Sequence, residues 1–320
     1  MPYISNRIIK DNAISFDLNN KNNDIKISLA NAIRRTIISE IDTYIIDHNN
    51  TIFYENTSML NNEFLKHRLT LIPIISDIAD INYDNLIISC KKKNDGEYME
   101  SVYVSDFVCK DSTTDVIIDN NIIFKYPSIL FGKLKNDQYL SFESKLVKNN
   151  AMNGGSFYSP VSVCLYKFKF EEDERSYEKN SKGEPDVYMF NIESIGFYSP
   201  INIALKGIDL LITRLDFVKN EFLNKNSKKV MRVNTDNLNY YSFLIDKEND
   251  TIGNLLSTYI TYDKNVMYCG YIIEHPLKNN IILKIQLKED NTLENNIKNI
   301  CDNIDILINI INNIKTELSN

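Results

Sequence analysis

The chain has 320 residues and a mass of 37.1 kDa, a length that predicts about two domains. Charged residues make up 25% and the nine hydrophobic types 43%, a globular rather than a disordered balance. Lysine and arginine total 36 against 43 acidic residues, and the net charge of −7 excludes nucleic-acid binding by bulk charge alone.

Alternating stretches at Tyr3–Ile9 and Ala13–Leu18 predict two strands. After the turn-like tract 19–23, helical spacing runs from about Asp24 to Glu40. On that wheel Leu29, Ala30, Ile33, Ile37, Ile38 and Ile41 fill one half, while Ser28, Asn31, Arg35 and Ser39 form the polar arc. So wide an apolar arc predicts a helix buried on a sheet and against a second helix. Tyr44–Tyr54 reads as one strand, Asn56-Thr57-Ser58 as an N-cap, and Leu60–Leu69 as a helix stopped by Pro73. From about residue 75 to 185, short β-rich runs (86–89, 101–109, 116–124, 139–146, 156–170) predict a separate, mostly β insert. Ser199-Pro200 starts a long amphipathic helix whose apolar stripe runs from Ile201 to Phe222. The polar stretch 224–237 is the linker candidate. The last 80 residues predict a strand at 240–246, a helix capped by Asp250-Thr251, paired strands at 266–274 and 281–288, and a final helix with a stripe from Leu293 to Leu318. Strand, helix, strands and long helix therefore occur twice, the first set interrupted by the insert.

The five cysteines (Cys90, Cys109, Cys164, Cys269 and Cys301) are odd in number and scattered, unlike a disulfide framework or a zinc site. The N-terminus has no apolar signal core, and nowhere do about 20 apolar residues run uninterrupted. An intracellular, reducing compartment is expected, without a membrane span. The abundant asparagine, isoleucine and lysine point to an AT-rich genome.

Several segments carry a resemblance. Leu29-Ala30-Asn31-Ala32-Ile33-Arg34-Arg35 with Ser39-Glu40-Ile41, and then the block Asn56 to Pro73 (NTSMLNNEFLKHRLTLIP), resemble the signature segments of the alpha-like subunits of multisubunit RNA polymerases. Phe157-Tyr158-Ser159-Pro160-Val161 and Phe190-Asn191-Ile192-Glu193-Ser194-Ile195-Gly196 resemble two later blocks of the larger alpha-like branch, the archaeal D-type and eukaryotic third subunits. Glu248 to Leu256 (ENDTIGNLL) and Gly270 to Leu277 (GYIIEHPL) resemble the smaller branch, the archaeal L-type and eukaryotic eleventh subunits. The resemblance implies an α+β fold: two alpha-like dimerisation modules, each an antiparallel sheet with long helices, paired within one chain. It places a D-like module at 1–74 and 186–230, the β-rich insert at 75–185, a linker at 231–239 and an L-like module at 240–320. Such fusions, with AT-rich coding, resemble those of large cytoplasmic DNA viruses.

The implied function is a non-catalytic assembly platform for the two largest subunits of DNA-directed RNA polymerase. The two modules would pair through Ile33, Ile37, Leu205, Ile208, Leu211, Leu215, Leu255, Ile297, Ile304, Leu307 and Ile311. Joining them raises their effective concentration to about the millimolar range and fixes one copy of each per complex. An exposed docking surface of about 2,000 Å² or more is expected for the large subunits. Asn31, Arg34, Arg35, Glu63, His67 and Arg68 are the expected contacts there. Small zinc-binding subunits are further candidate partners.

Each feature has a bland counterpart. Arg34-Arg35 also fits a solvated helix face. Glu63 and His67 lie one helical turn apart, as metal ligands can, but lack a third ligand nearby. His275 reads as a turn residue, and Gly253 inside a helix pattern predicts close approach of another backbone. The cysteine cluster that many D-type relatives carry in the insert has no counterpart, so no metal and no cofactor is expected, and the insert must rest on its own β core. No catalytic residue is assigned: the Asp-x-Asp-x-Asp run that holds the family's metals on the largest subunit is absent. The competing readings are a free-standing scaffold and a small enzyme using His67 or His275. Lys91–Lys93 and Lys225–Lys229 read as solvated loops, so no tight nucleic-acid binding is expected. The location implied is the cytoplasm of an infected cell or a virion if the source is viral, and otherwise the nucleus.

Overall fold

The computed structural model describes residues 2–20, 23–78, 81–171, 176–180, 182–224, 227–233, 240–289 and 291–320. In chain order its elements are β1 (Ile4–Lys10), β2 (Ala13–Asn19), α1 (Ile27–Ser39), β3 (Thr43–Ile46), β4 (Ile52–Asn56), α2 (Asn62–Thr70), β5 (Leu86–Lys93), β6 (Glu100–Tyr103), β7 (Val108–Asp111), β8 (Ile117–Ile118), α3 (Asn120–Ile123) and β9 (Leu130–Leu134). They continue with β10 (Tyr139–Asn149), α4 (Ala151–Gly154), β11 (Val161–Phe168), β12 (Val187–Ser194), α5 (Pro200–Leu223), β13 (Val230–Val233), β14 (Tyr241–Asp246), α6 (Asp250–Thr261), β15 (Val266–Ile272), β16 (Asn280–Leu287) and α7 (Leu293–Ser319). The chain divides into two units: one formed by Met1–Ile37, Cys164–Ile192 and Ala204–Asn320, the other by Ile38–Val163 and Glu193–Ile203. The fold is α+β, and no helix among the described residues is long and apolar enough to cross a membrane.

Unit one holds two four-stranded sheets, ordered β1-β2-β12-β11 and β13-β14-β16-β15. The β14–β16 and β15–β16 ladders are antiparallel. Alternation in β16 puts Ile281, Leu283, Ile285 and Leu287 inward, but Ile282 on the opposite face is buried too. Phe16 and Phe190, on β2 and β12, stack with ring centroids 5.2 Å apart. In α7 the N-cap Thr292 accepts the Asn295 N–H at 3.3 Å.

Unit two holds a sheet ordered β3-β10-β5-β7-β8, in which β4 also pairs with β10, and the small β6-β9 ribbon. Its centre is aromatic. The Phe107 ring meets Phe131 and Phe142 edge-on at 5.2 Å each and Phe124 at 6.0 Å. The apolar runs of the insert share this core with Ile46, Leu65, Leu69, Ile72 and Ile74, which precede the insert in the chain.

The structure departs from the sequence expectations at several points, each with a local cause. The single strand expected at 44–54 is two, β3 and β4, because residues 47–50 form a turn that the Thr51 hydroxyl ties to the Asp47 carbonyl at 2.7 Å. The α2 cap is Asn61, which accepts from the Phe64 N–H at 2.8 Å. Asn56 folds the preceding turn instead, accepting from Ser58 N at 3.0 Å and donating to the Leu60 carbonyl at 2.8 Å. Asn249, one position earlier than expected, caps α6. The run 116–124 holds a two-residue strand and a short helix. The run 156–170 supplies β11, which joins the sheet of β1, β2 and β12, and the first stretch of unit two closes at Val163. At its start unit two reaches back to Ile38, since β3 and β4 both pair with β10. Residues 231–233, expected as linker, belong to β13, which pairs with β14; residues 234–239 lie outside the described ones.

Candidate functional site

Within unit one, helices from the first and last segments of the chain meet over a closely packed joint. At Gly207 on α5 a Cβ would lie 2.5 Å from Ile37 Cγ1, so only glycine lets α5 sit this close to α1. Below it, Ile208, Leu211, Leu215, Val218 and Phe222 are buried along α5, and Ile300, Ile304, Leu307, Ile311, Ile314 and Leu318 along α7. Lys219 Nζ lies 2.5 Å from Asp305 Oδ1, and Lys315 Nζ 2.5 Å from Asp209 Oδ1. Ten residues separate the anchors on each helix, 209 to 219 and 305 to 315, in opposite order. The helices therefore run antiparallel with a matched overlap of about 15 Å. These partly exposed bridges are worth about 1 kcal/mol or less each; they set register, while the apolar stripes supply the energy.

Polar contacts fasten the joint elsewhere. Arg214 of α5 bonds the Glu248 carboxylate and, at 3.3 Å, Asn249 Oδ1, so the long helix is tied to the cap of α6. β1 reaches the far end of α7: the Ile4 N–H donates to Glu317 Oε2 at 2.8 Å, and Arg7 Nη1 to the Leu318 carbonyl at 2.5 Å. Lys26 Nζ lies 2.9 Å from both Glu184 oxygens and 3.8 Å over the Tyr262 ring. The Tyr262 hydroxyl donates to Glu184 at 2.9 Å. The buried Tyr259 hydroxyl donates to the Asp24 carbonyl at 2.6 Å and accepts Lys26 N–H at 3.2 Å.

Burial pushes the Glu184 carboxyl up, but the Lys26 ammonium and the Tyr262 hydroxyl outweigh it and hold the group below its ordinary value of 4.5. A depressed folded value means stability that is complete above about pH 4.5 and lost as pH falls through the lower folded value. We therefore expect unit one to lose stability on acidification below pH 4.5, and Glu184→Gln to flatten that dependence in denaturant titrations at pH 3 to 7. Equal acid slopes in the two proteins would count against this network.

The expected contact residues fall into two sets, one on each unit. On α1, Arg34 donates from Nε and Nη2 to Asn31 Oδ1 at 3.1 and 2.9 Å. Arg35 is half-buried, and its charge acts on the Tyr271 hydroxyl, which burial and Asp250 push up. On α2, Glu63 is exposed 3.7 Å from Lys66, His67 is exposed, and Arg68 donates to the Leu130 carbonyl at 2.6 Å. Of the joint residues, Ile33, Ile37, Ile208, Leu211, Leu215, Leu255, Ile304, Leu307 and Ile311 are buried. Leu205 and Ile297 are only half-buried, while their helix neighbours Ala204 and Ile300 are fully buried. At Gly253 the close neighbour is a side chain, not backbone: a Cβ would lie 2.6 Å from the Tyr271 ring.

The tie between Arg214 and Glu248 and the Lys26, Glu184 and Tyr259 network were missed by sequence reasoning. An arginine inside the apolar stripe of α5 was the available signal for the first. Gly196 closes the Phe190–Gly196 block at φ +123°, where a Cβ would meet Lys125 Cγ at 2.7 Å, so the glycine there is sterically required.

His275 Nδ1 accepts the Leu277 N–H at 3.1 Å within its turn. All five cysteines are free. Burial pushes the Cys90, Cys109, Cys164 and Cys269 thiols up to about 12 and Cys301 up to about 11. They are thus neutral at pH 7 rather than reactive thiolates. Among the described residues no three His, Cys, Asp or Glu side chains are grouped to share a metal ion.

Comparison with known proteins gives two family matches. Residues 21–215 match the RNA polymerase Rpb3/Rpb11 dimerisation domain, and residues 240–316 match a second model of the same description. The chain is 30% identical over 175 residues to DNA-directed RNA polymerase II subunit rpb3 of Dictyostelium discoideum, covering 50% of this chain and 56% of that one. It is 23% identical over 258 residues to subunit RPB3 of Schizosaccharomyces pombe, covering 67% and 84%. It is 38% identical over 77 residues to subunit Rpo3 of Pyrococcus furiosus, covering 24% and 27%. The match therefore spans little more than half the length of the Dictyostelium relative.

Proposed function

The chain belongs to the RNA polymerase Rpb3/Rpb11 dimerisation domain family, and on that premise we propose that it is a non-catalytic assembly-platform component of a DNA-directed RNA polymerase. The observation that carries this reading is the antiparallel α5–α7 joint: two stretches that each match a dimerisation domain are packed together inside one chain. In this reading the chain is a fusion of a D-like and an L-like module, present once per complex. It docks the two largest subunits through Asn31, Arg34 and Arg35 on α1 and through Glu63, His67 and Arg68 on α2, with small zinc-binding subunits as further partners. It holds no cofactor or metal of its own and leaves catalysis and tight nucleic-acid contact to those partners. The joined arrangement and the AT-rich residue usage support a source among large DNA viruses, with transcription in the cytoplasm of an infected cell; a cellular source would place the chain in the nucleus.

The test is affinity purification of the tagged chain from its native source, with mass spectrometry and an RNA-synthesis assay. Two large partners with metal-dependent polymerising activity are expected, and Arg35→Ala is expected to retain less of both. A chain that purifies alone would favour a free-standing scaffold, and activity without large partners would return attention to His67 and His275.

A further inference from the structure

We propose that the groove between α2 and β9 in unit two binds a partner protein segment that presents a carboxylate between two apolar side chains. This deepens the assembly reading by giving one expected docking surface a defined chemistry, and it rests on that reading only for the partner's membership of a polymerase.

The geometry starts with Arg68. Its Nη2 donates to the Leu130 carbonyl at 2.6 Å, while its Nε–H is shut away from solvent without an acceptor. The buried Nε–H lies beyond a docked partner's reach, so a carboxylate would pair with the Nη end of the guanidinium, whose bond to Leu130 is exposed. On either side of Arg68 lies a hollow, of about 230 Å³ on the Leu71 and Ile129 side and about 220 Å³ on the Met59 and Gly132 side, with Leu130 and Phe131 common to both. A cavity of about 150 Å³ with an apolar lining already accepts a benzene ring, so each hollow admits an aliphatic or aromatic side chain.

The rim is apolar and exposed. Phe64 and Arg68 lie one turn apart on α2 and Leu71 caps its C-terminus, with Phe64 52% and Leu71 56% exposed, and Met59 beside them is 67% exposed. Clustered exposure of this kind marks an interaction surface. Charge selects the partner. The charged groups of α2 and β9 are Lys66, Arg68 and Lys133 against the single acid Glu63, which lies 3.7 Å from Lys66. An acidic segment is attracted. A phosphate backbone would leave the apolar hollows unfilled.

The experiment uses the full chain and two fluorescent blocked peptides that differ at one position, with the cores Leu-Glu-Leu and Leu-Gln-Leu, followed by anisotropy. The Glu peptide is expected to bind at least about tenfold more tightly than the Gln peptide. Arg68→Gln is expected to abolish that difference. Gly132→Leu is expected to block both peptides without lowering the melting temperature, because no atom lies within 4 Å of a Cβ built there. Equal binding of the two peptides, or wild-type binding by Gly132→Leu, overturns the proposal. A parallel purification separates it from the assembly reading. If wild-type chain brings down the large subunits but neither peptide binds, the groove proposal falls and the platform stands. If the Glu peptide binds as expected and no large subunit co-purifies, the platform falls and the groove stands.

Discussion

Phe107→Ala is expected to cost unit two about 3–5 kcal/mol, enough to unfold a marginal domain. The Phe107 side chain is 2% exposed and is the common neighbour of three rings, Phe124, Phe131 and Phe142. Removing it leaves a void at the point where the rings converge and ends three edge-on contacts, each worth about 0.5–1.5 kcal/mol beyond area burial. Urea unfolding of the full chain, with amide exchange on β5, β7 and β10, locates the loss in unit two. Phe107→Leu, which refills part of the volume, is expected to recover a substantial share. A Phe107→Ala protein within about 1 kcal/mol of wild type would mean that the core collapses freely around the gap.

Glu248→Ala is expected to weaken unit one by about 3 kcal/mol, the lower end of the range for breaking a buried pair. Glu248 is 6% exposed and the Arg214 side chain 19%, so the guanidinium left behind keeps limited access to water. The effect bears on the joint: Arg214 lies on α5, and Glu248-Asn249 leads into α6. Exchange protection along α6 and the middle of α5 should fall together. Replacing both partners, Arg214→Met with Glu248→Leu, is expected to return most of the loss, since an apolar pair carries no desolvation cost. If the double variant is as weak as Glu248→Ala, the side chains matter through packing rather than charge.

Long periodic elements were legible in the sequence, and their long-range pairings were not. The α5 stripe, started by Ser199-Pro200, and the alternation of β16 follow from local spacing alone. The split of β3 from β4 turns on one hydroxyl bond across a turn, which no periodicity reports. The assignment of β11 depended on which sheet offered it a backbone partner, and composition is blind to that. At the candidate site, the signature helix showed where Asn31, Arg34 and Arg35 stand, but their pairing required side-chain geometry. The Lys26–Glu184 contact joins residues 158 positions apart, a distance at which only a recognised relative or a structure can speak.

The bond between Ile4 and Glu317 links residues 313 positions apart and therefore has a meaning in time. At a synthesis rate of about 5–20 residues per second, roughly 15–60 s pass between the emergence of β1 and that of its α7 partner. All of unit two is made by residue 203, while unit one needs residues up to the last helix. The unit that starts later in the chain can finish first on the ribosome. β1 pairs at once with β2, but its outer edge, with Ile8 and Ile9 exposed even in the finished protein, waits for the α7 contact until the end of synthesis.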